Sequence, residues 1–244
     1  MPLVKKGSSM SWLLDFAKST IGAKVVMGVT GVMLIGFVIM HMVGNLQIFI
    51  GPDALNAYGK MLHDLGGLLW VARFGLIGAV VLHIVSGLRL ASLNKAARPV
   101  RYVHETTVQA SFASRYMKLS GLVVLAFIVY HLLHFTIGGA TPDHTSLTTK
   151  LSDGTEVKDI YAMVVLGFQQ PAVSISYIIA MVLLGLHLNH GASSLFKSLG
   201  LRNSKYNNML DKVGPAMAIT VVVGNCSMPI AILTGLIGAS VGGH

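Results

Sequence analysis

The stretch Val25–Ile50, VVMGVTGVMLIGFVIMHMVGNLQIFI, contains no Asp, Glu, Lys or Arg. A helix needs about 20 apolar residues to cross the hydrocarbon core of a bilayer, and this run supplies them. Four further apolar runs follow at Leu68–Leu90, Leu119–Ile137, Ala172–Phe196 and Val213–Val241. Membrane β-strands would be shorter and would alternate in polarity, which none of these runs does. The pattern predicts an all-α integral membrane protein, a five-transmembrane-helix bundle forming one membrane domain over residues 1–244. No internal sequence repeat and no soluble domain is read from it.

Composition agrees. Hydrophobic residues make up 53% of the 244 and charged residues only 11%, with a mean hydropathy of +0.70. A soluble domain carries about 25% charged residues, so a soluble enzyme is excluded. The net charge of +9 is scattered between apolar blocks rather than gathered on an aromatic-studded stripe, which argues against nucleic acid. One cysteine, Cys226, provides neither a disulfide framework nor a Cys-ligated iron–sulfur or zinc site. The first twenty residues lack a small-residue cleavage site behind a short apolar core, so no removable signal peptide is expected. Trp12 and Phe16, one helical turn apart, suit a short interfacial helix leading into the first span.

Basic residues set the orientation. Lys5, Lys6, Lys18 and Lys24 precede the first span. Arg89, Lys95, Arg98, Arg101, Arg115 and Lys118 fall between the second and third, and Lys197, Arg202, Lys205 and Lys212 between the fourth and fifth. The opposite side has only Lys60, Arg73, Lys150 and Lys158, together with Asp143, Asp153, Glu156 and Asp159. The positive-inside rule therefore predicts a cytoplasmic N-terminus and an outside C-terminus. The long connection 138–170 is expected to be an external loop, partly ordered over the bundle.

No Asp, Glu, Lys or Arg lies in the middle of any span, but histidine does: His41 in the first, His83 in the second, His131 and His134 in the third, His187 and His190 in the fourth. Intramembrane ionisable groups are costly and mark function. A single one is explained by a hydrogen bond between helices; one or more in each of four consecutive spans is not. Depth sorts them. Counted from the nearest cytoplasmic basic residue at about 1.5 Å per residue, His83 lies roughly 9 Å deep, His187 15 Å, His131 20 Å and His41 26 Å. Two are shallow and two are near the outer face, each pair drawn from two helices. That suits two bis-histidine haems stacked across the membrane, because two histidines are too few for a closed zinc site. Without C-x-x-C-H the haem would be non-covalent haem b. Glycines 28, 31 and 36 before His41, and Gly78 and Gly87 around His83, would admit a flat macrocycle, although small residues also serve helix packing. Depth does not separate His131 from His134. A residue three positions along a helix shares its face only approximately, so His134 and His190 are read as groups in the haem environment, contacting propionate or quinone. His63, His104, His144 and His244 fall in connections or at the tail.

The run TGVMLIGFVIMHMVGNLQIFIGPDALNAYG at Thr30–Gly59 resembles the first membrane segment of the two-haem, single-subunit cytochrome b (b558-type) of succinate:quinone oxidoreductases and fumarate reductases. NKAARPVRY at Asn94–Tyr102, SRYMKLSG at Ser114–Gly121 and GLHLNHGASSLF at Gly185–Phe196 are similar to the same family in order and spacing. The resemblance spans nearly the whole chain except the external loop and tail. It implies that one histidine on each of four helices ligates haem b. By position, His83 and His187 would hold the inner iron and His41 and His131 the outer, preferring His131 over His134 and His187 over His190.

The resemblance further implies partners: a flavoprotein with the dicarboxylate site and an iron–sulfur subunit, both on the cytoplasmic face of a bacterial cell (inner) membrane. This chain would pass electrons from the iron–sulfur subunit through two haems to quinone, such as menaquinone, and would not itself touch succinate. Arg98, Arg101, Arg115 and Lys118 would dock that subunit or balance inner propionates, beside their role in topology and lipid contact. Arg73, next to Trp70, is the outer propionate candidate; snorkelling explains it equally. Quinone-site candidates are His63 and Asp64 on the outer side, with Lys24 and Ser120 as an inner alternative. Some two-haem fumarate reductases similar to this chain carry a proton-path glutamate two residues before the fourth ligand; here that position is Gly185. The alternatives weighed are the fumarate-reducing direction, a cytochrome b subunit of another quinone-linked dehydrogenase, and a proton-coupled transporter. The last would call for inverted repeats or interrupted helices.

Overall fold

The computed structural model describes residues 12, 15–16, 19–97, 115–139, 142–198 and 200–238. Arg98 and Arg101, like Lys5, Lys6, Lys18, His104 and His244, lie outside them. Among the described residues five helices are long and apolar enough to cross a membrane: Thr20–Phe49, Gly67–Ala96, Met117–Thr136, Pro171–Ser198 and Asn207–Leu233. They are called spans 1 to 5. The end of the bundle that carries Lys24, Lys95, Lys118 and Lys197 is the basic end, and the opposite end is the loop end.

The spans depart from the hydropathy boundaries for local reasons. Span 1 begins at Thr20 because the Ser19 hydroxyl caps it, accepting from the Gly22 N–H at 2.9 Å. Such a cap satisfies one of the orphan donors of the first turn. Span 2 continues to Ala96, since a helix need not stop where apolar residues do and long basic side chains snorkel to the interface. Span 5 starts at Asn207 and ends at Leu233, with Gly235 at φ +75° closing it.

Spans 1 and 2 form one helix hairpin and spans 3 and 4 a second, while span 5 lies along span 4. Span 2 packs chiefly along span 1 and is the least buried of the five; spans 4 and 5 are the most buried. Apolar side chains such as Val71, Phe74, Ile77, Leu122 and Ile219 face outward, as a lipid-facing surface requires.

The loop end is more ordered than its composition predicts. Between spans 1 and 2 lies a helix, Pro52–Asp64. Gly51 at φ +136° and Gly66 at φ +52° flank it, and left-handed backbone of this kind favours glycine. The connection expected as an external loop holds a short helix, Pro142–Thr145, an antiparallel pair of strands, β1 Thr148–Lys150 and β2 Glu156–Lys158, and a helix, Ile160–Gln169. This last helix is core rather than loop: Val165 and Phe168 are buried with Ile48, Leu55, Tyr177, Met228 and Ile232. Buried Asn56 secures it. Its amide Nδ2 donates to Asp159 Oδ1 at 3.1 Å and its Oδ1 accepts from the Tyr161 N–H at 2.9 Å. Asp159 also caps the helix, accepting from the Ala162 N–H at 2.9 Å.

Candidate functional site

The two hairpins present their histidines to each other in two pairs. Toward the basic end, His83 of span 2 faces His187 of span 4, with ring centroids 6.3 Å apart and planes inclined at 58°. Toward the loop end, His41 of span 1 faces His131 of span 3 at 5.7 Å and 85°. Helical depth groups His83 with His187 and His41 with either His131 or His134; the ring that faces His41 is that of His131. Each pair bridges from one hairpin to the other, so neither is a local consequence of one helix.

Hydroxyl groups hold the rings. His83 Nδ1 is 3.2 Å from Thr30 Oγ1, and His187 Nδ1 is 3.4 Å from Ser120 Oγ. His131 Nδ1 is 3.4 Å from the Tyr177 hydroxyl, which also lies 3.0 Å from His134 Nδ1. Glycine backs the two basic-end rings. A Cβ on Gly31 would stand 3.6 Å from His83 Cε1, and one on Gly121 would stand 3.4 Å from His187 Cε1. Loop-end rings have phenylalanine neighbours instead: Phe37 stacks on His41 at 5.4 Å and 18°, and Phe127 lies by His131 at 5.8 Å and 30°.

His131 and His134 are separated by geometry. The α-helix of span 3 ends at His131 and continues as a π-helical turn, Leu132–Thr136. Turns of this kind are rare and concentrate at functional sites. Here the turn carries His134 into the core, where it is 1% exposed. It is stacked on Tyr130 at 5.5 Å and 16° and packed on Phe135 at 4.0 Å. His131 therefore has the ring partner across the bundle, and His134 supports it through Tyr177. His190 is half-buried on span 4, with no ring facing it among the described contacts.

Other sequence candidates fall elsewhere. His63 and Asp64 are exposed at the end of the Pro52–Asp64 helix, where Asp64 pairs with Lys60 at 2.5 Å. Lys24 and Arg115 are exposed. Ser120 is buried and turned to His187, which assigns its hydroxyl to the histidine. Arg73 is exposed, with its guanidinium 5.0 Å from the Trp70 ring centroid. Gly185 is buried against span 5, where a Cβ would collide with Val222, so position 185 has no room for a carboxylate side chain. Thr30 and Tyr177 were not among the sequence candidates; their signal is a hydroxyl within an apolar span, where it needs a partner.

The donor set discriminates among metal centres. Among the described residues no three His, Cys, Asp or Glu side chains converge, so neither pair completes a tetrahedral zinc site, which takes four ligands or three and a water. Two imidazoles on opposite faces of one metal, with metal–nitrogen bonds of about 2 Å, have centroids about 6 Å apart. Both pairs meet that spacing. A metal held by either pair would have to bring its remaining ligands with it, as a porphyrin supplies four nitrogens to iron. No protein-family model, no curated protein and no solved structure matches this chain.

Proposed function

We propose that the chain is the dihaem cytochrome b membrane anchor of a succinate:quinone oxidoreductase (succinate dehydrogenase, complex II), a multi-pass subunit of a bacterial cell membrane. It would bind two non-covalent haems b and hand electrons from an iron–sulfur subunit to quinone. The single observation that carries this reading is the presence of two facing histidine pairs at two depths, each contributed by both helix hairpins.

His83 and His187 would hold the haem nearer the basic end, His41 and His131 the one nearer the loop end. The bound groups supply one-electron redox chemistry, and the chain's imidazoles, hydroxyls and apolar burial tune it. The chain's own work is positional. Thr30, Ser120 and Tyr177 orient the imidazoles, and the apolar spans exclude water. The flavoprotein and iron–sulfur partners would dock at the basic end, the cytoplasmic one, through exposed Arg115 and Lys118 and neighbouring basic residues. Quinone of low potential, such as menaquinone, is the acceptor this reading favours, with His63 and Asp64 as the outer-site groups.

A dithionite-reduced minus oxidised spectrum of purified protein, with haem extraction, tests the proposal. Haem b bands at two haems per chain are expected. A chain purified from haem-replete cells without these bands would return the histidines to another role, such as proton relay in a transporter.

A further inference from the structure

The histidine contacts repeat. TGVMLIGFVIMH at Thr30–His41 and SGLVVLAFIVYH at Ser120–His131 share one pattern: a hydroxyl residue, glycine, five apolar residues, phenylalanine, three more residues and histidine. LHIVSG at Leu82–Gly87 and LHLNHG at Leu186–Gly191 share a second: leucine, histidine, an aliphatic residue and glycine three positions later. The first pattern lies on the opening helix of each hairpin and the second on its closing helix. The spatial roles match as well as the letters. In each hairpin the hydroxyl–glycine dipeptide of the opening helix receives the histidine of the closing one: Thr30-Gly31 receives His83, and Ser120-Gly121 receives His187. The phenylalanine four residues before the opening helix's histidine lies against that ring in both. Each facing pair then joins equivalent positions, His41 with His131 and His83 with His187.

This corrects the expectation of no internal repeat. The repeated letters are few and dispersed among interchangeable aliphatic residues, and only their shared contacts distinguish them from general hydrophobicity. The two copies run in the same direction, each an opening helix from the basic end and a closing helix back to it, so this is not the inverted repeat of many transporters.

We infer that the chain is a twofold repeat of a helix hairpin, and that Thr30 and Ser120, each with its glycine, are equivalent positioning residues for the two basic-end metal ligands. The inference rests on the haem reading above and specifies how one of the two sites is built. The Thr30 hydroxyl donates its only proton to the Val26 carbonyl at 2.7 Å, so toward His83 its oxygen accepts. The Ser120 hydroxyl donates to the Met117 carbonyl at 3.1 Å and accepts from His187 in the same way. Both histidines are therefore held as the Nδ1–H tautomer, which leaves the Nε2 lone pair for a metal. A histidine whose far N–H donates to an oxygen is a more basic ligand, and a more basic ligand favours ferric over ferrous iron.

The repeat departs from symmetry at the other pair. Tyr177 lies ten residues before His187, and the equivalent residue before His83 is Arg73, which turns to Trp70. Among the described contacts His131 has a hydroxyl partner and His41 has none. The two sites are thereby built differently: two hydroxyl-held imidazoles at the basic end, one at the loop end.

Redox titration of the purified complex, followed by haem absorbance, tests this with Thr30→Val, Ser120→Ala and the conservative Thr30→Ser. Thr30→Val and Ser120→Ala are each expected to keep both haems and to raise the potential of the same one. That haem should be the one removed by His83→Ala. The expected change is about threefold in the ferric–ferrous equilibrium, roughly 30 mV at 59 mV per tenfold for one electron. The other haem should stay within error, and Thr30→Ser should restore the wild-type value. A merely structural role would lower thermal stability and leave potentials in place. If Thr30→Val fails to accumulate, Ser120→Ala alone decides, since it removes one atom. Two haems with unchanged potentials, or a shift on the haem lost in His41→Ala, would overturn the positioning role while leaving the haem reading intact. A wild-type protein without haem would overturn both.

Discussion

His41 meets His131 edge-on, their ring centroids 5.7 Å apart and their planes at 85°, although 90 residues of chain separate them. The contact joins the opening helices of the two hairpins, which otherwise meet chiefly through spans 1 and 4. It therefore reports the assembly of the bundle as well as the site. Removal of either ring should be felt at the loop-end site and not at the other.

Alanine in place of His41 or His131 should remove one haem, and alanine in place of His83 or His187 the other, leaving one per chain in each case. His134→Ala should retain two, because its ring stacks on Tyr130 and meets the Tyr177 hydroxyl, whereas the ring facing His41 is that of His131. Haem extraction and low-temperature spectra of the five variants check this. A His134→Ala protein with one haem, beside a His131→Ala protein with two, would reverse the assignment.

Tyr177 sits in the buried cluster with Phe168, Val165 and Ile48 and reaches two histidines with one hydroxyl. Tyr177→Phe keeps the ring and deletes those two hydrogen bonds. Losing bonds to a buried polar group costs about 1–3 kcal/mol, so thermal unfolding in detergent should move down by several degrees. Both haems should remain bound, and the loop-end one should change potential.

Gly121→Ala places a methyl 3.4 Å from the His187 ring, an ordinary van der Waals contact, and should be accepted. Gly121→Leu cannot be, since the added atoms occupy the place of the imidazole. Overpacking of this kind costs about 1–3 kcal/mol, and the basic-end haem should be lost while the loop-end haem persists. Spectra of the two variants side by side should show two haems for Gly121→Ala and one for Gly121→Leu; equal spectra would mean that the ring does not lie against this glycine in the membrane.

Gly185 bears on energy coupling. With position 185 sealed against Val222 and no Asp or Glu in span 4, the chain lacks a carboxylate there to accompany electrons with protons. A unit charge crossing the membrane exchanges about 2.3 kcal/mol per 100 mV with its potential. Reduction of menaquinone at the outer side by succinate should therefore draw on that potential. In sealed vesicles holding a membrane potential negative on the basic-end side, electrons moving to the loop end run down that potential, and an uncoupler should slow this reaction severalfold. An unchanged rate would indicate a compensating proton path or a quinone site at the basic end.

Much of this protein is determined by its sequence alone. Five apolar runs exceed the length a bilayer requires, and backbone groups in hydrocarbon must bond within their own helix, so the five spans follow from composition. The grouping of the histidines into a shallow and a deep set also follows, because depth in a helix is residue number multiplied by a constant rise. Tertiary structure decided what depth cannot express, which is direction around each helix axis. Depth alone left His131 and His134 unresolved, and the π-helical turn after His131 separates them by carrying His134 onto Tyr177. The Ile160–Gln169 helix read as loop because its flanks are rich in glycine and polar residues; it became core because Asn56, a hundred residues earlier, holds its capping Asp159 and accepts from the Tyr161 N–H. The hydroxyls of Thr30 and Ser120 carry no signal by spacing from His83 and His187. They acquire their role only when the hairpins close and bring each oxygen to an imidazole nitrogen.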